Sequence, residues 1–177
     1  MEVLDAIKQR KSIRRYLDKK VPEKLIRELI DAARLAPSGC NKQGARYKVI
    51  SDRDTIRMLK DNGVYTQDFV YTAPVLILCC YDRTAYPVQK KEGRDSIYGT
   101  GHIVRGIRDL SIASSFLVLR AEELGLGTCY VGWMDKPKAK RLLDIPDNVE
   151  ILFTITAGYS ADGSKETPRK TTEEILL

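Results

Sequence analysis

Apolar residues recur along this chain in two periods, and the switches between them mark out its elements. Val3, Leu4 and Ile7 pattern residues 2–10 as a short amphipathic helix, and a mostly polar turn follows over 11–16. Pro22 opens a second helix with Leu25, Ile26, Leu29, Ile30 and Ala33 on one face, and Pro37 ends it. Residues 38–44 are poor in apolar side chains and hold Gly39, Asn41 and Gly44, the make-up of a loop. Residues 46–51 read as a strand. Asp52 or Asp54 then caps a helix that runs to Asn62 and stops at Gly63.

The best strand, residues 74–81, is apolar on both faces and therefore belongs in the middle of a sheet. From 82 to 102 the period breaks, a stretch long enough to be a lid or a partly helical insertion; it holds Tyr86, Tyr98 and His102. The longest helix covers 103–124. Ile107, Leu110, Ile112, Ala113, Phe116, Leu117 and Leu119 make its middle apolar almost all round, as a core or interface helix requires. Gly125 and Gly127 stop it, residues 129–133 form a strand, 136–143 a short helix and 150–159 a last strand. The tail from 160 to 177 is polar until Ile175, Leu176 and Leu177, so its end is frayed or docked, and a partner subunit is the natural place to dock.

Composition narrows the class. The 177 residues, 43% hydrophobic and 31% charged, suit one globular domain, 1–177. The longest apolar run, residues 73–81, is too short to span a bilayer, and the first twenty residues lack the apolar block of a leader, so a cytoplasmic protein is expected. Cys79 and Cys80 point to opposite faces of one strand, Cys40 and Cys129 stand alone, and no spacing suits zinc. The net charge is +6, and residues 1–20 carry seven Lys or Arg against three acids. A local excess of that kind fits one phosphate group better than a nucleic-acid groove.

Several chemistries drop out. His102 is the only histidine, there is no G-x-S-x-G elbow and no G-x-x-x-x-G-K-[ST] loop, and Gly99-Thr100-Gly101 follows no strand. No catalytic acid, base or nucleophile and no metal ligand set can be named. Such a chain borrows its chemistry from a cofactor or only binds.

Four segments carry the positive signal: Arg10-Lys11-Ser12-Ile13-Arg14, Ala36-Pro37-Ser38-Gly39-Cys40-Asn41-Lys42-Gln43, Leu124-Gly125-Leu126-Gly127-Thr128-Cys129-Tyr130-Val131-Gly132 and Pro168-Arg169. Their order and spacing resemble the nitroreductase family of FMN-dependent NAD(P)H oxidoreductases over almost the whole chain. The resemblance implies an α+β fold, a mostly antiparallel central sheet flanked by helices, in an intertwined homodimer with FMN at the subunit interface. It makes Arg10, Lys11, Ser12 and Arg14 the cofactor-binding opening. Arg10 and Ser12 hold the phosphate with Arg169 from the tail, and Arg14 lies near the flavin N1–O2 edge. Pro37, Ser38, Gly39 and Asn41 reach the ring from the other subunit with Gln43 nearby, and Val131 and Gly132 face N5.

The function implied is ping-pong transfer of electrons from NADH or NADPH to a small acceptor such as a nitroaromatic or quinone. Reductive dehalogenation or flavin fragmentation on the same fold is one alternative, and a basic nucleic-acid-binding module is another. The chain departs from the family where Gly44-Ala45 replace the usual Pro-Trp, which leaves the pocket a smaller floor.

Overall fold

A computed structural model describes residues 1–86, 101–161 and 167–177, with backbone only for Gly101 and His102. Its centre is the strand Val75–Asp82 (β2), in which every side chain from Val75 to Tyr81 is buried. Each fully buried Val, Leu or Ile contributes roughly 1.5–3 kcal/mol. A strand apolar on both faces needs a covering layer on each side, and the chain supplies both.

On one face Val75, Ile77, Cys79 and Tyr81 meet the helices Glu23–Arg34 (α2) and Gly101–Glu123 (α4) through Ile26, Leu29, Leu110, Ala113 and Leu117. On the other, Leu76, Leu78 and Cys80 meet Ile56 and Leu59 of helix Arg53–Asp61 (α3) and Ala139 of helix Lys136–Leu142 (α5). Val64, Tyr65 and Val70, in a connection that includes a 3-10 turn at Asp68–Thr72, join that second layer. Cys79 and Cys80 therefore lie in opposite core halves.

The sheet is antiparallel throughout, in the order β1-β2-β4-β3, with edges at Ala45–Ile50 (β1) and Gly127–Val131 (β3) and Val149–Gly158 (β4) inside. The α+β architecture expected from the chain is thus present. A first helix, Val3–Gln9 (α1), packs against α4.

Local chemistry explains most boundaries. Asp52, not Asp54, caps α3 by accepting the Thr55 N–H at 2.7 Å. The α2 helix ends at Arg34, ahead of Pro37, because a residue preceding proline is pushed out of the helical region. Helix α4 starts at Gly101, and residues 82–86 of the expected insertion belong to β2 and a 3-10 turn, with Tyr86 buried. Residues 87–100, the rest of that segment, lie outside the described residues.

Two expectations need correction. Gly125, at positive φ, ends α4, but Gly127 opens β3. A Cβ on Gly127 would stand 2.5 Å from Ile13 Cγ1, so glycine is what lets the 12–16 segment lie against the strand. That segment is not a simple polar turn either. The Ile13 N–H donates to the Thr128 carbonyl at 2.8 Å and the Leu17 N–H to the Tyr159 carbonyl at 2.9 Å. The Tyr16 hydroxyl bonds the Ile13 carbonyl and Thr156 Oγ1. Residues 12–17 are an extended strip pinned along the sheet edge.

Helix α4 is buried on one side only. Ile103, Val104, Ile107, Ile112 and Phe116 are exposed, as are Val3, Leu4 and Ile7 of α1, Leu35, and Ile175–Leu177 of the tail. Among the described residues no helix is long and apolar enough to cross a membrane.

Two stability measurements check this account. Gly127→Ala lowers unfolding stability by about 1–3 kcal/mol through overpacking against Ile13, and Ile13→Ala, which removes both γ carbons, makes the loss in the double variant smaller than the sum of the two single losses. Asp52→Ala costs about 1 kcal/mol at neutral pH. The cap's hydrogen bonds hold the Asp52 carboxyl below its ordinary range. Its contribution is therefore present above that range and is lost as the pH falls, so the gap between the two proteins closes below about pH 4.

Candidate functional site

One edge of the sheet gathers two of the four sequence segments. Ser12 forms a parallel bridge with Thr128, and Thr128 turns its carbonyl away from β4 toward Ile13. Backbone direction alternates along a strand, so Tyr130 also aims its backbone groups outward, and Gly132 follows directly on the end of β3 at Val131. The bridge stops at Thr128, which leaves the edge from Tyr130 to Gly132 open among the described residues. Val131 buries its side chain in the core beneath that edge, whereas Gly132 is exposed.

The cations collect beside it. Ser12 and Arg14 act on the Cys129 thiol, whose own hydrogen bond runs to the Tyr130 carbonyl at 3.5 Å, and Arg10 acts electrostatically on Cys129 and Tyr130. Burial pushes the Cys129 thiol up in spite of both arginines, so it is a neutral packing group rather than a thiolate nucleophile. Arg10 and Lys11 also face Glu122 near the end of α4, whose carboxyl burial raises against their pull. Two guanidinium groups, an ammonium and a hydroxyl at an open strand edge are suited to a phosphate with a flat body beside it.

Residues 37–43 lie elsewhere. They precede β1, at the opposite edge of the sheet. The loop closes on itself: the Asn41 N–H donates to the Ser38 carbonyl and the Gln43 N–H to Ser38 Oγ, both at 2.9 Å. Cys40, Asn41 and Gln43 all take positive φ, and Pro37, Asn41 and Gln43 are exposed. Behind the loop is a cleft of about 270 Å³ between α2, β1 and α4, lined by Ser38, Gln43, Tyr47 and Asp109. Next to it the Tyr86 ring lies on Gly44, where a Cβ would come within 2.5 Å of it. Part of the space above Gly44 is thus filled from β2's far end.

Within one chain the structure sets Arg10, Ser12 and Arg14 beside Thr128 and Cys129 of β3, the strand that ends at Val131 just before Gly132. It places Lys11 next to Ser12 in the same strip, and keeps Pro37, Ser38, Gly39, Asn41 and Gln43 apart from them at the other edge. Gly39 is bonded to Asp109 and Arg10 faces Glu122, points about 20 Å apart along α4 at 1.5 Å per residue. Arg169 sits on the exposed tail, its Nη1 donating to the Pro168 carbonyl at 3.4 Å. Tyr98 and the His102 side chain lie outside the described residues. Among those described, no cluster of His, Cys, Asp or Glu could hold a metal ion.

Sequence reasoning missed Asp109, which is buried and bonded to Gly39, Tyr86 and Arg108. The signal was available: one acid next to Leu110 on the face of α4 that meets the core.

Comparison with known proteins identifies the family. The model of the nitroreductase family matches residues 7–62 and 58–159. A Methanothermobacter thermautotrophicus protein carrying the name NADH dehydrogenase/NAD(P)H nitroreductase is 34% identical, over 92% of this chain and 79% of its own. The FMN reductase [NAD(P)H] of Bacillus subtilis is 27% identical, over 98% of this chain and 72% of its own. Among solved structures, a nitroreductase from Desulfovibrio desulfuricans in complex with FMN superposes with a TM-score of 0.80. It is 31% identical, and the match covers 100% of this chain and 96% of that one. With its sheet order, its basic strip on the β3 edge and these matches, the chain belongs to the nitroreductase family.

Proposed function

We propose that this protein is an FMN-dependent oxidoreductase that takes electrons from NAD(P)H and passes them, by a ping-pong mechanism, to a small acceptor such as a nitroaromatic or a quinone. The observation that carries the reading is the pairing of Ser12 with Thr128, which sets Arg10 and Arg14 beside Cys129 at the β3 edge. Bound FMN supplies the hydride acceptance and electron release that no side chain here provides.

The residues present fit that group. Arg10 and Ser12 hold the phosphate, one with a forked set of N–H donors and the other with a hydroxyl. Arg14, farther along the strip, would supply a cation to stabilise negative charge on a reduced ring. Gly132 is exposed and, with no side chain, would leave a planar ring free to approach its backbone. Nothing at this edge acts as acid or base: the Cys129 thiol is raised by burial, and the Tyr130 phenol is pushed up to about 12 by the same cause. The protein's part is therefore orientation and charge.

Two chains complete the site. The 37–43 loop stands too far from Arg10 in its own chain to share a ligand with it, and a second copy brings it across. The exposed apolar faces of α4 and α1 are the kind of surface that a homodimer covers. The tail fits the same arrangement. Thr171 and Glu174 cap a turn reciprocally, which presents Ile175, Leu176 and Leu177 for docking on the partner and carries Arg169 toward the partner's phosphate group. Four free cysteines suit the reducing cytoplasm.

The visible spectrum tests this reading. Purified protein is expected to be yellow, with flavin bands that bleach on anaerobic addition of NADH or NADPH and return when the acceptor is added. Arg10→Ala and Ser12→Ala each weaken FMN binding by about tenfold or more, the scale of one lost charge-assisted hydrogen bond. Colourless protein that takes up no added FMN refutes the reading, and a monomer by sedimentation in the yellow, active protein refutes the two-chain site.

A further inference from the structure

Asp109 is an acid on the buried side of α4, only 3% exposed. A carboxylate in that position is costly unless both oxygens are satisfied and the charge is compensated. Oδ2 accepts the Gly39 N–H at 3.0 Å and the Tyr86 hydroxyl at 3.2 Å, and Oδ1 accepts Arg108 Nε at 3.0 Å. Three donors from three places in the chain thus converge on one side chain.

Two of them belong to the loop or touch it. Gly39 opens the 3-10 turn in which Cys40 and Asn41 hold positive φ, with Gln43 the same just beyond. Non-glycine residues persist in that region only where their surroundings over-determine it. The bonds from Asn41 and Gln43 to Ser38 are internal to the loop and do not fix it to the core. The Gly39–Asp109 bond does, across 70 residues of sequence. Tyr86, held by the same carboxylate, lays its ring on Gly44 at the loop's other end. Burial, then the neighbouring Asp109 charge, push the Tyr86 phenol up to about 12, so its proton stays in the bond to Asp109.

We propose that Asp109 is a positioning residue of the active site, whose carboxylate sets where the loop presents Ser38, Asn41 and Gln43 to the flavin ring. The proposal rests on the flavin reading above. Arg108 compensates the buried charge and Tyr86 braces the loop's second end, so the three side chains act as one clamp.

The test compares amide hydrogen exchange and turnover in the wild-type protein and Asp109→Asn. Asparagine keeps the size and one acceptor but turns an N–H donor toward either Arg108 or Gly39. Exchange over residues 38–43 is expected to rise about tenfold or more, with or without FMN, because a local tie has been lost. In the holoprotein the flavin bands shift and kcat falls by about 10- to 100-fold, the scale of small misplacements near a reacting centre. FMN affinity, set at Arg10 and Ser12, changes far less.

Adding Arg108→Gln to Asp109→Asn gives the new amide an acceptor and restores part of both protection and turnover. If Asp109→Asn folds poorly, Tyr86→Phe removes one bond and shows the same pattern at smaller amplitude. Unchanged exchange over 38–43 overturns the proposal, as does faster exchange with an unchanged spectrum and kcat. Wild-type protein that takes up no FMN strikes the flavin reading instead, and the exchange data still decide whether Asp109 orders the loop.

Discussion

A strand with no polar face constrains everything packed around it. Val75–Tyr81 can be stable only if helices cover both sides, so the chain is committed to a layer of α2 and α4 on one face and of α3 and α5 on the other. With β2 and β4 enclosed, free backbone groups remain only at the two edges. The β1 edge is entered through the 37–44 loop. The β3 edge is covered part of the way by the N-terminal strip and then left open. The candidate site lies where that cover ends.

Helix α4 links the two edges. Its Asp109 holds the 37–44 loop, and Glu122 faces the basic strip. Its other side carries an apolar stripe that nothing among the described residues covers. One rigid element therefore sets the spacing of both halves of the site and offers the surface through which a second copy would bring the missing halves together. In the two-chain site proposed above, assembly and cofactor binding would be coupled, because covering the stripe and completing the site would be the same event.

The chemistry follows the same division of labour. Tyr65 is buried and Tyr16 partly buried, they bond Thr154 and Thr156, and burial raises both phenols, so they brace the core and hold their protons. Burial likewise raises Cys79, Cys80 and Cys129. What remains at the β3 edge is fixed positive charge, a hydroxyl and outward backbone, which suits a protein that binds and tunes a redox cofactor.

Much of this was legible along the chain. The apolar run 74–81, the 3.6-residue stripe of α2 and the Asp52 cap each declare their element through local periodicity or a local bond, so neighbours in sequence carry the information. The four site motifs were legible too, because each is a short contiguous run. The pairing of Ser12 with Thr128, the strip laid over Gly127 and the three-way bond at Asp109 were not. Each joins residues far apart in sequence, and nothing local distinguishes Gly127 as a contact from Gly127 as a helix stop. Sequence alone determined which groups this protein has for chemistry: cations and a hydroxyl at the start, a polar glycine-containing loop, and no acid–base set. Tertiary structure decided which of them meet, because strand order put two motifs on one edge and the third on the other.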